Sequence, residues 1–205
     1  MTPELVHQPL AVPTLRRRYR QLVSLPARVR WGGGCAFALG AAALGTASGL
    51  PPATGMLVWL LAAATVTDLL WRRIFNCQLV PVLACVALLH AAGALGLHTG
   101  LPAPAQSALG LGLCFALMLV LYVTFRGGEG DVKMVAVLGA LLGCWHGIEA
   151  AMIGYLLAAA VAVVLVVARL VHRAVSKAPG GRTRVLQGTL PMAPFFAAGT
   201  VLTLL

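Results

Sequence analysis

Residues 132–170 read VKMVAVLGALLGCWHGIEAAMIGYLLAAAVAVVLVVARL, an almost uninterrupted apolar stretch. A helix that crosses a bilayer needs about 20 apolar residues, so this stretch is too long for one span. We interpret it as two helices, about 132–146 and 150–170, that are separated near CWHGIEA. This division decides the topology, because it determines on which side of the membrane the basic loop at 171–188 lies.

The whole chain has the composition of a membrane protein. Of its 205 residues, 60% are apolar and only 10% are charged, whereas soluble domains carry about 25% charged residues. Long runs without charge recur along the sequence, as is typical of spanning helices. We therefore predict an all-α polytopic membrane protein with about seven transmembrane helices. The other five are expected at 31–50, 54–70, 77–97, 105–125 and 190–205.

The distribution of basic residues tests this count. With the N-terminus inside, seven spans leave 1–30, 71–76, 126–131 and 171–188 on the cytoplasmic side. These segments, with Lys133 and Arg169 at helix ends, contain all fifteen Lys and Arg residues. The positive-inside rule thus favours an N-in, C-out chain. The net charge of +10 is explained by topology and anionic lipid, and no nucleic-acid partner is predicted.

The sequence contains two aspartates, and the predicted topology puts both at the cytoplasmic face. Asp68 ends the second helix, in TVTDLLWRRIFN (65–76), and Asp131 begins the fifth. Ionisable residues at membrane depth usually have a function. Two structural explanations stay open: an ion pair between Asp68 and Arg72 at i+4, and an N-cap role for Asp131.

Two carboxyl groups that share a site cannot both ionise easily, so one stays protonated while the other is charged. The charged group can take a proton from water while its partner polarises a peptide carbonyl. The glycines of RGGEGD beside Asp131 would let a substrate strand approach closely. This arrangement predicts peptide hydrolysis without a covalent intermediate.

Nothing in the sequence indicates a cofactor or a metal. The five cysteines are scattered singly among apolar residues, and no two histidines have the spacing of metal ligands. We predict neither.

These motifs resemble those of the prepilin peptidases, the aspartic A24 family of type IV leader peptidases. DLLWRRIFN supplies Asp68, Arg73, Ile74 and Asn76, and GEGDVKM supplies Gly128, Gly130, Asp131 and Lys133. The proline-containing segment LPMAPFFAAG also looks like the late helix of the family. The resemblance covers about 54–205. The chain is then divided into a basic cytoplasmic segment (1–30), an extra transmembrane helix (31–50) and a membrane-embedded peptidase-like domain (54–205). A signal peptide remains the alternative for the first helix, so the sequence leaves open whether that helix is retained.

The resemblance implies a bacterial inner-membrane protease that removes the short basic leader from type IV prepilin or pseudopilin precursors at the cytoplasmic face. Asp68 and Asp131 would be catalytic, and Gly128, Gly130, Lys133, Arg73 and Asn76 would support the site. Membrane lipid and a pilus or secretion assembly machinery would be its other partners.

Two features depart from the family pattern. Phe75 stands where proline is usual, and the cysteine-rich zinc loop of larger relatives is absent. The chain therefore resembles the minimal, peptidase-only branch, similar to the enzymes of tight-adherence (Flp-type) pili. The alternatives are a catalytically inactive homologue, a non-enzymatic assembly component of the membrane and, less favoured, a proton-coupled carrier.

Overall fold

The computed structural model describes residues 27–125, 128–176 and 190–205, and within these ranges every regular element is a helix. The seven helices are α1 (Ala27–Ala47), α2 (Pro52–Trp71), α3 (Asn76–Ala94), α4 (Pro104–Phe125), α5 (Glu129–Leu142), α6 (Cys144–Ser176) and α7 (Ala193–Leu204). The predicted all-α class with about seven helices is confirmed. Most of the predicted basic segments 1–30 and 171–188 lies outside the described residues.

The break in the long apolar stretch occurs earlier than predicted. The fifth helix ends at Leu142, and the sixth begins at Cys144. Gly143 between them has a φ of 82°, and its N–H bonds to the Gly139 carbonyl at 2.9 Å. Only glycine adopts this conformation readily, so the chain turns here. The residues CWHGIEA, where the break was expected, form the first turns of α6.

Four of the described helices are long and apolar enough to cross a membrane: α2, α3, the Pro104–Thr124 part of α4 and the Cys144–Ala168 part of α6. Many of their large apolar side chains face outward, as lipid contact requires. The chain is thus a multi-pass helical membrane protein. The number of spans and their orientation stay predictions, since α7 has only 12 residues and α5 only 14.

Helix α5 lies at the centre of the bundle, where it contacts α2, α3, α4 and α6. Its residues are buried without a break from Met134 to Leu141. This central position explains why a short helix with charges in its first turns is stable in an apolar protein. It also carries Asp131 to the end of the bundle where α2 finishes.

Glycines set the close approach of the helices around α5. A side chain at Gly139 would collide with the backbone of Gly110 on α4, and a Cβ at Gly147 on α6 would lie 2.7 Å from the Cα of Gly139. The small-residue stripe of the sequence therefore serves helix packing. The Gly139–Gly147 contact joins α5 and α6 on either side of the turn at Gly143.

Candidate active site

Asp68 lies in the last turn of α2 and is buried, with only 7% of its surface exposed. Its Oδ2 accepts a hydrogen bond of 2.9 Å from the backbone N–H of Ala193, a residue 125 positions away. Ala193 is the first residue of α7. The carboxylate therefore sits at a helix N-terminus, where unpaired N–H groups and the helix dipole favour a negative charge.

The start of α7 is held in place by its packing on α6. A side chain at Gly199 would collide with the carbonyl oxygen of Ala150, and one at Gly154 would come within 2.7 Å of the Phe196 ring. Phe196 itself is fully buried. Pro194 follows Ala193 within the first turn, where the missing proline N–H costs nothing. These contacts position the Ala193 N–H that Asp68 binds.

Asp131 lies in the first turn of α5 and is half-buried. Its N–H donates to the carbonyl of Gly128 at 3.2 Å. A Cβ at Gly128 would come within 2.7 Å of Asp131 Oδ2, so the absence of a side chain there leaves room for the carboxylate. The two carboxyl groups lie close enough to interact electrostatically. The structure therefore brings Asp68 and Asp131 together, from helices that are separated in sequence by two others.

The turn between α2 and α3 completes this end of the bundle. Arg72 adopts the left-handed conformation, with φ 56° and ψ 37°, and its N–H bonds to the Asp68 carbonyl at 2.9 Å. The Phe75 ring packs edge-on against Trp71 with centroids 6.0 Å apart. The backbone N–H of Phe75 donates to the Gln78 side chain at 3.4 Å, a bond that proline in this position would lack. The turn then meets α5, since a Cβ at Gly130 would lie 3.1 Å from Ile74.

The other predicted supporting residues lie at the rim. Arg73 and Asn76 are exposed on the turn and at the start of α3. Lys133 forms an ion pair with Glu129, and with Asn76 it lines a small apolar cleft between α3, α4 and α5. Successive residues of an α-helix are rotated by about 100° about its axis, so Lys133 and Asp131, two residues apart, lie on nearly opposite faces of α5. The structure therefore does not bring Lys133 to the carboxylate pair.

Two neighbours of the carboxylates were not predicted from the sequence. One is the Ala193 N–H, because a backbone donor leaves no residue-type signal, although Pro194 marks the helix start. The other is Tyr155 on α6, which lies within electrostatic reach of Asp131. A phenol inside the apolar part of α6, residues 150–168, was the signal that could have identified it.

The arrangement has the components of a general acid–base site. One carboxylate is held by a backbone amide, and a second lies within electrostatic reach of it. Such a pair can share one proton and hold a water between its oxygens. Among the described residues, no group of three or more His, Cys, Asp or Glu side chains is placed to hold a metal ion.

The model of the type IV leader peptidase family matches residues 55–167, more than half of the chain and a range that includes both aspartates. A search of curated proteins and a search of solved structures each found no match. The chain belongs to the type IV leader peptidase family.

Proposed function

From this family membership, we propose that the protein is an aspartic endopeptidase that removes the short basic leader from type IV prepilin-like precursors. Asp68 and Asp131 activate the attacking water. The observation that carries the proposal is the burial of Asp68 against the Ala193 N–H, with Asp131 within electrostatic reach of it. Burial of a carboxylate is costly, and the hydrogen bond from α7 stabilises it in one orientation.

In the proposed reaction, the ionised carboxyl group takes a proton from water, and the water oxygen attacks the carbonyl carbon of the scissile peptide. The protonated carboxyl group donates to the carbonyl oxygen. The C–N bond then breaks as the leaving nitrogen receives a proton from the pair. Because Ala193 binds Oδ2 of Asp68, the other oxygen of that carboxylate remains for the water.

We assign the site to the cytoplasmic face of the bacterial inner membrane. The carboxylates lie at the end of the bundle where α2 ends and where α3, α5 and α7 begin. The sequence segments that connect these ends are basic, which supports a cytoplasmic location. The extra helix α1 would then anchor the N-terminal segment on the same side.

Flp-type precursors are the candidate substrates that the resemblance to the peptidase-only branch implies. The pilus or secretion assembly machinery would then be its partner.

The test is co-expression with prepilin-like precursors from the same genome, followed by gel shift and N-terminal sequencing. Wild type and the Asp131→Asn variant are compared at equal membrane levels. We expect wild type to remove the leader and the variant to leave it intact. Cleavage by both would exclude the aspartic mechanism. Cleavage by neither, with folded protein in the membrane, would indicate an inactive homologue or an assembly component.

A further inference from the structure

Tyr155 lies at the same depth in the bundle as Asp131. Gly139 of α5 contacts Gly147 of α6 across the turn at Gly143, so the chain reverses its direction between the two glycines. Eight residues back from Gly139 lead to Asp131, and eight residues forward from Gly147 lead to Tyr155. At a rise of 1.5 Å per residue, both lie about 12 Å from the glycine contact, toward the same end of the bundle. The register therefore places the tyrosine at the depth of the carboxylate, and the two groups are within electrostatic reach of each other.

The ring of Tyr155 is fixed by the helix that binds Asp68. It packs edge-on against Phe196, with centroids 5.4 Å apart and planes at 75°. Phe196 is fully buried one turn after Ala193, whose N–H bonds to Asp68. Edge-to-face packing restricts the ring, so one short segment of α7 positions both the first aspartate and the tyrosine.

The Tyr155 side chain is only partly buried. It interacts electrostatically with Asp131, yet among the residues that the structure describes it has no hydrogen-bond partner. A phenol is both donor and acceptor, and it remains protonated well above neutral pH in ordinary surroundings. It therefore offers a proton-bearing group beside the carboxylate pair.

We propose that Tyr155 is a third catalytic residue, whose hydroxyl donates a hydrogen bond to the carbonyl oxygen of the scissile peptide. As the water oxygen bonds to the carbonyl carbon, an electron pair moves onto that oxygen, and the hydrogen bond stabilises the charge. The phenol keeps its proton throughout. This role rests on the proposed peptidase function.

The test uses the full-length protein in vesicles and a precursor that wild type cleaves. Tyr155→Phe keeps the ring and its packing on Phe196 and removes only the hydroxyl. Tyr122→Phe is the matched control, because Tyr122 lies exposed on α4. Loss of one oxyanion donor typically lowers kcat by about 10²–10³-fold. We expect that decrease for Tyr155→Phe, with KM and thermal stability near wild type, and no change for Tyr122→Phe.

Equal kcat values for wild type and Tyr155→Phe would overturn the role of Tyr155 and leave the proposed peptidase intact. A decrease in kcat together with a lowered melting temperature would assign the tyrosine to packing and overturn its catalytic role. If wild type, like Asp131→Asn, cleaves no precursor, both the proposed peptidase function and the role of Tyr155 are overturned.

Discussion

Two carboxylates at opposite ends of the bundle, those of Glu149 and Asp68, lie in very different surroundings. Glu149, near the start of α6, has an exposed carboxylate that lies 3.6 Å from His146, three residues before it. Asp68 is buried and is bonded to the first amide of α7, 125 residues away. A local, solvated contact requires no particular fold. A buried carboxylate bound by a distant helix requires the whole bundle, which is what a catalytic group needs.

This comparison predicts that a change in the length of a carboxylate side chain will slow leader cleavage at the Asp68 end of the bundle and leave it unchanged at the Glu149 end. Asp68→Glu and Asp131→Glu keep the charge but move the carboxylate by one methylene. A displacement of about 1 Å can cost about 10²-fold in rate, so we expect losses of that order in leader cleavage. Glu149→Asp is the matched control and should cleave at the wild-type rate. The measurement is the initial rate of leader cleavage at saturating precursor. Equal losses of rate for Asp68→Glu and Glu149→Asp would contradict the proposed difference between the two carboxylates.

The second prediction concerns the packing that holds α7 against α6. Gly199→Ala forces a methyl group into the carbonyl of Ala150, and overpacking of this kind costs about 1–3 kcal/mol. Because α7 supplies the amide that Asp68 binds, we expect a lower melting temperature and a loss of cleavage of about tenfold or more.

Gly112→Ala is the control for this substitution, since Gly112 on α4 has open space around it. Alanine is the better helix former, so this variant should melt no lower than wild type and cleave normally. A Gly199→Ala protein with wild-type activity would show that Asp68 does not depend on α7.

The smallest effect is expected in the turn after Asp68. Phe75→Pro restores the residue that is usual in the family and removes both the bond to Gln78 and the contact with Trp71. A single hydrogen bond contributes about 0.5–1.5 kcal/mol. We therefore expect a slightly lower melting temperature. Cleavage should be retained, because the bond and the contact that are lost lie in the turn between α2 and α3. Loss of cleavage would show that the turn itself orients Asp68.

The sequence predicted the all-α class and the helices of the described residues well, because apolar runs and glycine or proline breaks are local signals. It misplaced the break after α5, since a single residue, Gly143, makes the turn and the following polar residues continue as helix. The family resemblance groups Lys133 with Asp131 as a supporting residue, and their spacing of two residues places them on nearly opposite faces of α5.

The site itself was predictable only in part. The scarcity of aspartates and their predicted position at one membrane face are properties of the sequence, and they were enough to single out Asp68 and Asp131. The Ala193 amide and Tyr155 come from α7 and α6, whose register depends on glycine contacts between helices. Contacts of that kind are tertiary, and no pattern within one segment reports them.

The most direct test of the central claim is the rate of leader cleavage by the purified protein in vesicles, with Asp68→Asn and Glu149→Gln measured side by side. Both substitutions remove one negative charge and keep the shape of the side chain. General acid–base groups typically contribute about 10²–10⁴-fold, so Asp68→Asn should lose at least that factor while Glu149→Gln stays near wild type. Cleavage by Asp68→Asn at the wild-type rate would contradict a catalytic role for Asp68.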